Sequence, residues 1–184
     1  SNTGNTPPLT WIRRNGSGHP LLLFAGLPGN GHVVEYTTDL RSGVWTPVRR
    51  TSDLQLDPAV VSVGEPVEFP TTDGLTAHGI LYRPVNPAFR APDGELPPLV
   101  VTSHGGPTSE AFTGLSLSVQ LQTSRGIAVL DVDYGGSTGY GKAYRKRLEG
   151  TWGVVDVDDC VAGALEMARR GEVDGTRMAV EGGS

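Results

Sequence analysis

Two apolar runs without polar alternation constrain the fold of this chain more than any other feature. They occupy residues 99–102 and 127–132, and residues 178–180 form a third, shorter run. A strand with one face in water alternates apolar and polar side chains, whereas a strand covered on both faces does not. The three runs therefore predict buried strands of a mostly parallel sheet.

A helix is predicted between the second and third runs. Apolar side chains recur there at intervals of three and four residues, which puts them on one helical face. The set is Val157, Cys160, Val161, Ala164, Leu165 and Ala168. Acidic residues cluster at the start of this helix, two arginines end it, and Gly171 suits a left-handed cap. Strands that alternate with helices predict a doubly wound α/β sheet.

The first 58 residues have a different pattern, in which glycine-rich turns separate four short runs. The runs are residues 9–13, 21–25, 33–37 and 44–49. They predict an antiparallel meander of the size of one β-propeller blade, and the alternative is a small sheet that belongs to the following domain. Residues 67–69 and 77–82 then form an opening hairpin. We therefore expect a β segment over 1–58 and an α/β domain over 59–184.

Charge and composition exclude several classes of partner. The formal net charge is −5 and no basic run is present, so a phosphate backbone finds little counter-charge and we expect no nucleic-acid partner. The longest apolar runs fall far short of the ~20 residues that cross a bilayer, so we expect no membrane span. Cys160 is the only cysteine and can form no internal disulfide, which suits a cytoplasmic location.

Two glycine motifs follow predicted strands and can carry chemistry. His104-Gly105-Gly106-Pro107 follows the first buried run, where glycines leave a backbone N–H free to face a developing oxyanion. Gly182-Gly183-Ser184 follows the third run and matches the first three residues of a Gly-x-Ser-x-Gly nucleophile elbow. Each motif alone is more often structural, but together, each after its own buried strand, they predict an acyl-transfer site.

Residues 98–184 also resemble the catalytic domain of the prolyl oligopeptidase family of serine peptidases, in its acylaminoacyl-peptidase and dipeptidyl-aminopeptidase-like branch. The matching pieces, in chain order, are residues 104–107, 133–145, 152–159 and 173–184. The resemblance implies the N-terminal half of an α/β-hydrolase, preceded by the last blade of a β-propeller. Many members carry Arg where this chain has Gly135.

The resemblance and the motifs together assign site residues. Ser184 is the expected nucleophile and the Gly106 N–H the expected oxyanion donor, while His104, Gly105 and Tyr140 are expected to bind substrate. Tyr140 is included because its loop follows a strand at the carboxyl edge of the sheet, where α/β proteins place ligands. No metal or cofactor is expected.

The expected substrate is a short peptide, and two other functions stay open. A carboxylesterase can use the same elbow, and a non-catalytic module can use the same scaffold. In α/β-hydrolases the acid and the histidine of the triad follow the serine. We therefore expect them in the remainder of the same polypeptide or in a second chain, and an oligomer is possible.

Overall fold

A computed structural model describes residues 9–14, 20–24, 33–36, 46–50, 54–106 and 108–182. The chain divides into two compact units, one with residues 1–61 and 113–116, the other with residues 62–112 and 117–184. The second unit contains both glycine motifs, so it is the one that bears on function.

The first unit contains a four-stranded antiparallel sheet. Its strands, in spatial order, are β1 (Leu9–Arg14), β2 (Pro20–Phe24), β3 (Val33–Tyr36) and β4 (Thr46–Arg50). All three pairings are antiparallel, and each strand begins and ends within two residues of its predicted bounds. The predicted meander is therefore present as a sheet of its own.

The second unit is an open five-stranded sheet flanked by helices. The strands are β5 (Glu65–Pro70), β6 (Thr76–Tyr82), β7 (Leu99–Ser103), β8 (Ala128–Asp133) and β9 (Met178–Gly182), in the spatial order β5-β6-β8-β7-β9. The α-helices are α1 (Leu117–Thr123), α2 (Gly141–Arg145) and α3 (Val155–Arg169). The three strands predicted from apolar runs lie side by side as β8, β7 and β9.

The strand directions bear out the parallel arrangement of the three predicted strands but make the whole described sheet mixed. β7 is parallel to both β8 and β9, whereas β6 is antiparallel to both of its neighbours, β5 and β8. The described sheet is mixed because the opening hairpin β5–β6 joins it through β6. We call the side at which β7, β8 and β9 end the carboxyl edge.

Helices cover both faces of this sheet. The larger core lies between α3 and the sheet and is built on fully buried side chains such as Phe69, Leu130 and Met167. A smaller core on the other face includes Val129, with Val119 of α1 packed against it. Each large apolar side chain buried in this way contributes about 1.5–3 kcal/mol to stability. Because helices pack on both faces, the arrangement is consistent with the predicted doubly wound fold.

The buried face of α3 matches the predicted one only in part, since Ala164 is buried and Cys160 and Ala168 pack against the core. Val157, Val161 and Leu165 were expected in the core, yet they are 52%, 50% and 58% exposed. The helix instead buries Asp159 and Glu166. Hydrogen bonds satisfy both carboxylates, which apolar periodicity cannot anticipate. The predicted end is correct, because Gly171 follows the helix with a φ of 72°.

Gly163 brings α3 close to the sheet. A Cβ atom at this position would lie 2.9 Å from side-chain atoms of both Phe69 and Leu130.

In the part of the chain that the structure describes, no helix is long and apolar enough to cross a membrane. At the end of the sheet, β9 pairs with β7 and leaves Val180 71% exposed.

Candidate active site

The two glycine motifs leave the sheet from adjacent parallel strands. In the register of β7 with β9, Ser103 is the Cα partner of Gly182. His104 follows Ser103 directly, so both motifs start at the same height of the carboxyl edge. Gly183 and Ser184 lie outside the described residues, as does Pro107.

The loop after β7 presents two free amide groups. Gly105 and Gly106 are exposed, and none of the described residues accepts a hydrogen bond from either N–H. Gly106 has a φ of 65°, and a Cβ atom there would meet nothing within 4 Å. Backbone conformation, rather than space, therefore makes glycine the suitable residue at this position.

The side chain of His104 faces the interior and not the solvent. It is 9% exposed, and its Nε2 lies 2.6 Å from Oγ of the fully buried Ser137. The ring stacks on Tyr134 with 4.5 Å between ring centroids. The structure thus brings His104 to the expected place but turns its ring under the loop that it begins.

Asp133, at the end of β8, is a buried carboxylate that the sequence analysis did not select. Its side chain is 4% exposed and accepts hydrogen bonds from the Ala111 N–H and the Tyr140 hydroxyl, both at 2.7 Å. His104 Nε2 lies 4.0 Å from its Oδ1. A carboxylate at the end of a buried strand needs such donors. The position of Asp133 directly after an apolar run was therefore the feature of the sequence that could have identified it.

Tyr140 is half-buried beside this carboxylate, immediately before α2. Its ring stacks on His78 with 4.1 Å between centroids and 9° between planes, which follows from the pairing of His78 with Asp133 in the β6–β8 register. Burial, helped by the hydrogen bond to Asp133, raises the pKa of the Tyr140 phenol above its ordinary value. Asp133 therefore brings together two predicted site residues, His104 and Tyr140.

Asp159, within the first turns of α3, fastens the loop that follows β8. One carboxylate oxygen accepts from the Thr71 hydroxyl and the other from the Gly135 N–H at 2.7 Å. A Cβ atom at Gly135 would lie 2.7 Å from a Val155 methyl group and 3.1 Å from Arg147. The packing here leaves no space for the arginine that many family members carry.

No group of three or more His, Cys, Asp or Glu side chains among the described residues could hold a metal ion.

Comparison with known proteins gives consistent matches. A model of the prolyl oligopeptidase family matches residues 113–184. The acylamino-acid-releasing enzyme of Rattus norvegicus is 37% identical over 110 residues, which are 60% of this chain and 14% of the relative.

Solved structures resemble the chain over most of its length. A puromycin-hydrolyzing peptidase of Mycobacterium tuberculosis superposes with a TM-score of 0.85 at 41% identity, over 90% of this chain and 25% of that one. A mutant puromycin hydrolase complexed with PGG superposes with a TM-score of 0.82 at 42% identity, over 96% of this chain and 27% of that one. The chain thus spans about a quarter or less of the length of these relatives.

Proposed function

This chain belongs to the prolyl oligopeptidase family, and from that membership we propose that it forms the N-terminal part of the catalytic domain of a serine peptidase. Ser184 is the nucleophile in this proposal, and the Gly106 N–H is an oxyanion donor. The α/β unit, assigned to residues 59–184, carries the chemistry. The four-stranded sheet within residues 1–58 is the last blade of a propeller.

The register of β7 with β9 is the observation that carries the proposal. Because Ser103 pairs with Gly182, the Gly-Gly loop and the Gly-Gly-Ser segment leave neighbouring strands side by side. Ser184 follows Gly182 by two residues and Gly106 follows Ser103 by three, so each is within reach of the same small volume at the carboxyl edge. Nucleophile and oxyanion donor must meet in this way in an acyl-transfer site.

The reaction follows from these roles. Ser184 Oγ attacks the scissile carbonyl carbon while a histidine takes the hydroxyl proton, and the carbonyl oxygen becomes an oxyanion that the Gly106 N–H stabilises. Collapse of the tetrahedral intermediate expels the amine, which takes the proton from the histidine. Water then hydrolyses the acyl-enzyme by the same steps.

The predicted binding residues take two different roles. Gly105 and Tyr140 contact the substrate, because the Gly105 N–H is free among the described residues and Tyr140 is 39% exposed at the carboxyl edge. His104 does not contact the substrate, because its side chain is 9% exposed and hydrogen-bonded to Ser137. It affects binding by holding the Gly105–Gly106 loop in place.

The proposed substrates are short peptides in which the scissile amide bond follows an acylated amino acid or a short aminoacyl group. Relatives named as acylamino-acid-releasing enzymes and as puromycin hydrolases support amide substrates of this size. The triad acid, the histidine and the second oxyanion donor come from the continuing polypeptide or from a second chain. Within residues 1–184 Cys160 has no partner for a disulfide, and this supports a cytoplasmic location.

Replacement of Ser184 by alanine in the full-length protein tests the proposal. Ser184→Ala should lower turnover of acetyl-amino-acid anilides, dipeptidyl anilides and puromycin by at least about 10³-fold, because the hydroxyl forms the covalent intermediate. Labelling by a fluorophosphonate should disappear with it. Ser124→Ala is the matched control, since its hydroxyl donates to the Leu121 carbonyl near the end of α1, outside both glycine motifs.

Other results would favour the other functions. Wild-type turnover of aryl esters without turnover of any amide would indicate a carboxylesterase. Absence of both turnover and labelling in the wild-type protein would indicate a non-catalytic module. Undiminished turnover by Ser184→Ala would contradict the nucleophile assignment, and the site of residual labelling would identify the serine responsible.

A further inference from the structure

The hydroxyl group of Tyr134 lies beneath the Gly-Gly loop and contacts it at both ends. Its oxygen is 3.2 Å from the His104 carbonyl oxygen and 3.1 Å from the Gly106 carbonyl oxygen. It is also 3.3 Å from His104 Nδ1, and the two rings stack. Tyr134 is 7% exposed, so this hydroxyl is a buried donor shared between two loop carbonyls.

The His104 ring completes the set of contacts to the loop carbonyls. Its Nδ1 lies 3.4 Å from the Gly105 carbonyl oxygen. Because the Tyr134 proton is directed at carbonyl groups, both neighbours of Nδ1 are acceptors, and the ring hydrogen belongs on Nδ1. Nε2 is then free to accept from the Ser137 hydroxyl at 2.6 Å.

The direction of these carbonyls fixes the direction of the loop amides. The C=O of Gly105 and the N–H of Gly106 belong to one peptide group, and no described peptide bond is cis. In a trans peptide the two groups point in opposite directions. A Gly105 carbonyl held toward the His104 ring therefore turns the Gly106 N–H away from it, and the His104 carbonyl does the same for the Gly105 N–H.

Little else among the described residues restrains these amides. Gly105 and Gly106 have no side chain, both are exposed, and their N–H groups have no described acceptor. Glycine has the largest conformational freedom of any residue, so an unrestrained Gly-Gly segment samples many orientations. The buried Tyr134 and His104 rings are the parts of the described structure that select one.

Tyr134 is itself held on both sides. Before it, Asp133 accepts from the Ala111 N–H, and after it the Gly135 N–H donates to Asp159, both at 2.7 Å. The Tyr134 carbonyl accepts from the Ser137 N–H at 2.9 Å. The phenol is therefore a fixed reference point, anchored to β8 and to α3.

We infer that Tyr134 is a positioning residue for the Gly106 N–H. Its hydroxyl holds the carbonyls of the two peptide groups that flank the Gly105–Gly106 peptide, and its ring stacks on the His104 ring, which contacts the Gly105 carbonyl. This inference rests on the proposed function. Tyr134 touches no reacting atom in this role; it acts by removing orientations of the loop that leave the oxyanion without a donor. Such preorganisation lowers the cost of reorganisation in the transition state and contributes little to binding of the ground state.

A pair of Tyr→Phe variants in the full-length protein tests the inference. Tyr134→Phe removes the hydroxyl beneath the loop. The matched control Tyr144→Phe removes an equally buried hydroxyl that donates to the Asp133 carbonyl at 2.6 Å and touches no loop atom. Tyr134→Phe should lower kcat about tenfold with KM changed less than twofold, which is less than the ~10²–10³-fold cost of losing a donor itself. Tyr144→Phe should keep kcat within twofold.

A second readout separates positioning from general loosening of the structure. The affinity of a peptidyl trifluoromethyl ketone, which forms a tetrahedral oxyanion, should fall in Tyr134→Phe by the same factor as kcat/KM. Wild-type kcat and inhibitor affinity in Tyr134→Phe, or equal losses in Tyr144→Phe, would overturn the inference. Should Tyr134→Phe fail to fold, Ser137→Ala frees the His104 ring instead and should lower kcat several-fold; an unchanged kcat there would overturn it.

The outcome for Tyr134 is distinguishable from that for the proposed function. Turnover that survives Ser184→Ala removes the acyl-transfer proposal, whatever Tyr134→Phe does. Turnover that is lost in Ser184→Ala but normal in Tyr134→Phe leaves the proposed function intact and removes only the positioning role.

Discussion

The hydroxyl of Tyr140 donates to Oδ2 of Asp133 across 2.7 Å, and so connects the start of α2 to the end of β8. The acceptor is almost fully buried, and its other oxygen takes the Ala111 N–H. The phenol ring at the same time stacks on His78. Tyr140 thus has a polar contact and an aromatic contact that mutation can separate.

Tyr140→Phe should destabilise the protein by about 1–3 kcal/mol, because it leaves a buried carboxylate oxygen without its donor while retaining the ring. The free energy of unfolding, measured by urea titration of the full-length protein, checks this value. Thr138→Val is the comparison, since it removes an exposed hydrogen bond to Glu110 at 3.2 Å and should cost clearly less. Equal losses in the free energy of unfolding would show that the buried hydrogen bond to Asp133 stabilises the protein no more than an exposed one.

The positive φ of Gly106 provides a second test of the oxyanion loop. Gly106→Ala and Gly126→Ala both place a Cβ atom in open space at a positive φ, 65° and 84° respectively. Each should cost about 1 kcal/mol of stability through backbone strain. Only Gly106→Ala should also lower kcat, by about tenfold or more, because relief of the strain turns its N–H. A similar loss of kcat in Gly126→Ala, at a turn before β8, would point to a general effect of stability.

Two glycines in the core should differ in their tolerance of alanine. A Cβ atom at Gly79 would lie 2.8 Å from the backbone oxygen of Asp131, which is fixed in the β6–β8 pairing. At Gly163 the nearest atoms belong to side chains, which can shift. We expect Gly79→Ala to cost about 1–3 kcal/mol and Gly163→Ala less, as measured by thermal unfolding. The reverse order would mean that the α3–sheet packing is the more rigid contact.

Cys160 should be unreactive in the folded protein. Burial, with the carboxylates of Asp159 and Asp156 nearby, raises the pKa of its thiol to about 11. At pH 8 only about one thiol in a thousand is then ionised, and the thiolate is the reactive form. Iodoacetamide should modify Cys160 far more slowly in the native protein than in guanidinium chloride.

The same shift has a consequence for stability. A thiol whose pKa is higher in the folded than in the unfolded state holds its proton more tightly when folded. Its contribution to stability is therefore present below about pH 9 and is lost as the pH rises toward about 11. Cys160→Ala should flatten the decline of the melting temperature over this range; an unchanged decline would assign it to other groups.

The exposed apolar side chains predict how residues 1–184 behave when they are produced alone. Val161 and Leu165 project from α3, and Val180 from the edge strand β9, each at least half exposed. Such surface favours association. We expect this chain to self-associate and to bind the dye ANS, and Val161→Glu together with Leu165→Glu to reduce both. A soluble, cooperatively folding monomer without dye binding would contradict this expectation.

Strand positions were predictable from the sequence because burial on both faces leaves a local signal. The runs that became β7 and β8 contain only Thr102 and Asp131 as polar residues, and the run that became β9, although exposed at the edge of the described sheet, contains none; their order along the chain predicts parallel neighbours. The glycine motifs were also visible, since they follow those strands directly. What the sequence could not supply was the register of Ser103 with Gly182, which depends on pairing between distant segments.

The face of α3 and the residues beneath the loop were not predictable in the same way. Asp159 is buried because Gly135 and Thr71, far from it in sequence, supply its donors. Tyr134 and Asp133 belonged to a stretch recognised only as a family resemblance. Their roles depend on hydroxyl and carboxylate contacts across the fold, for which periodicity carries no signal.

The pairing of β9 with β7 also sets the earliest point during synthesis at which the two halves of the proposed site can meet. β9 comes off the ribosome after β8 and α3, yet it must insert beside β7, a strand made much earlier. Contacts between such distant segments form slowly. On the proposed function, the oxyanion loop is synthesised before the nucleophile, so a nascent chain carries no peptidase activity until β9 has paired with β7.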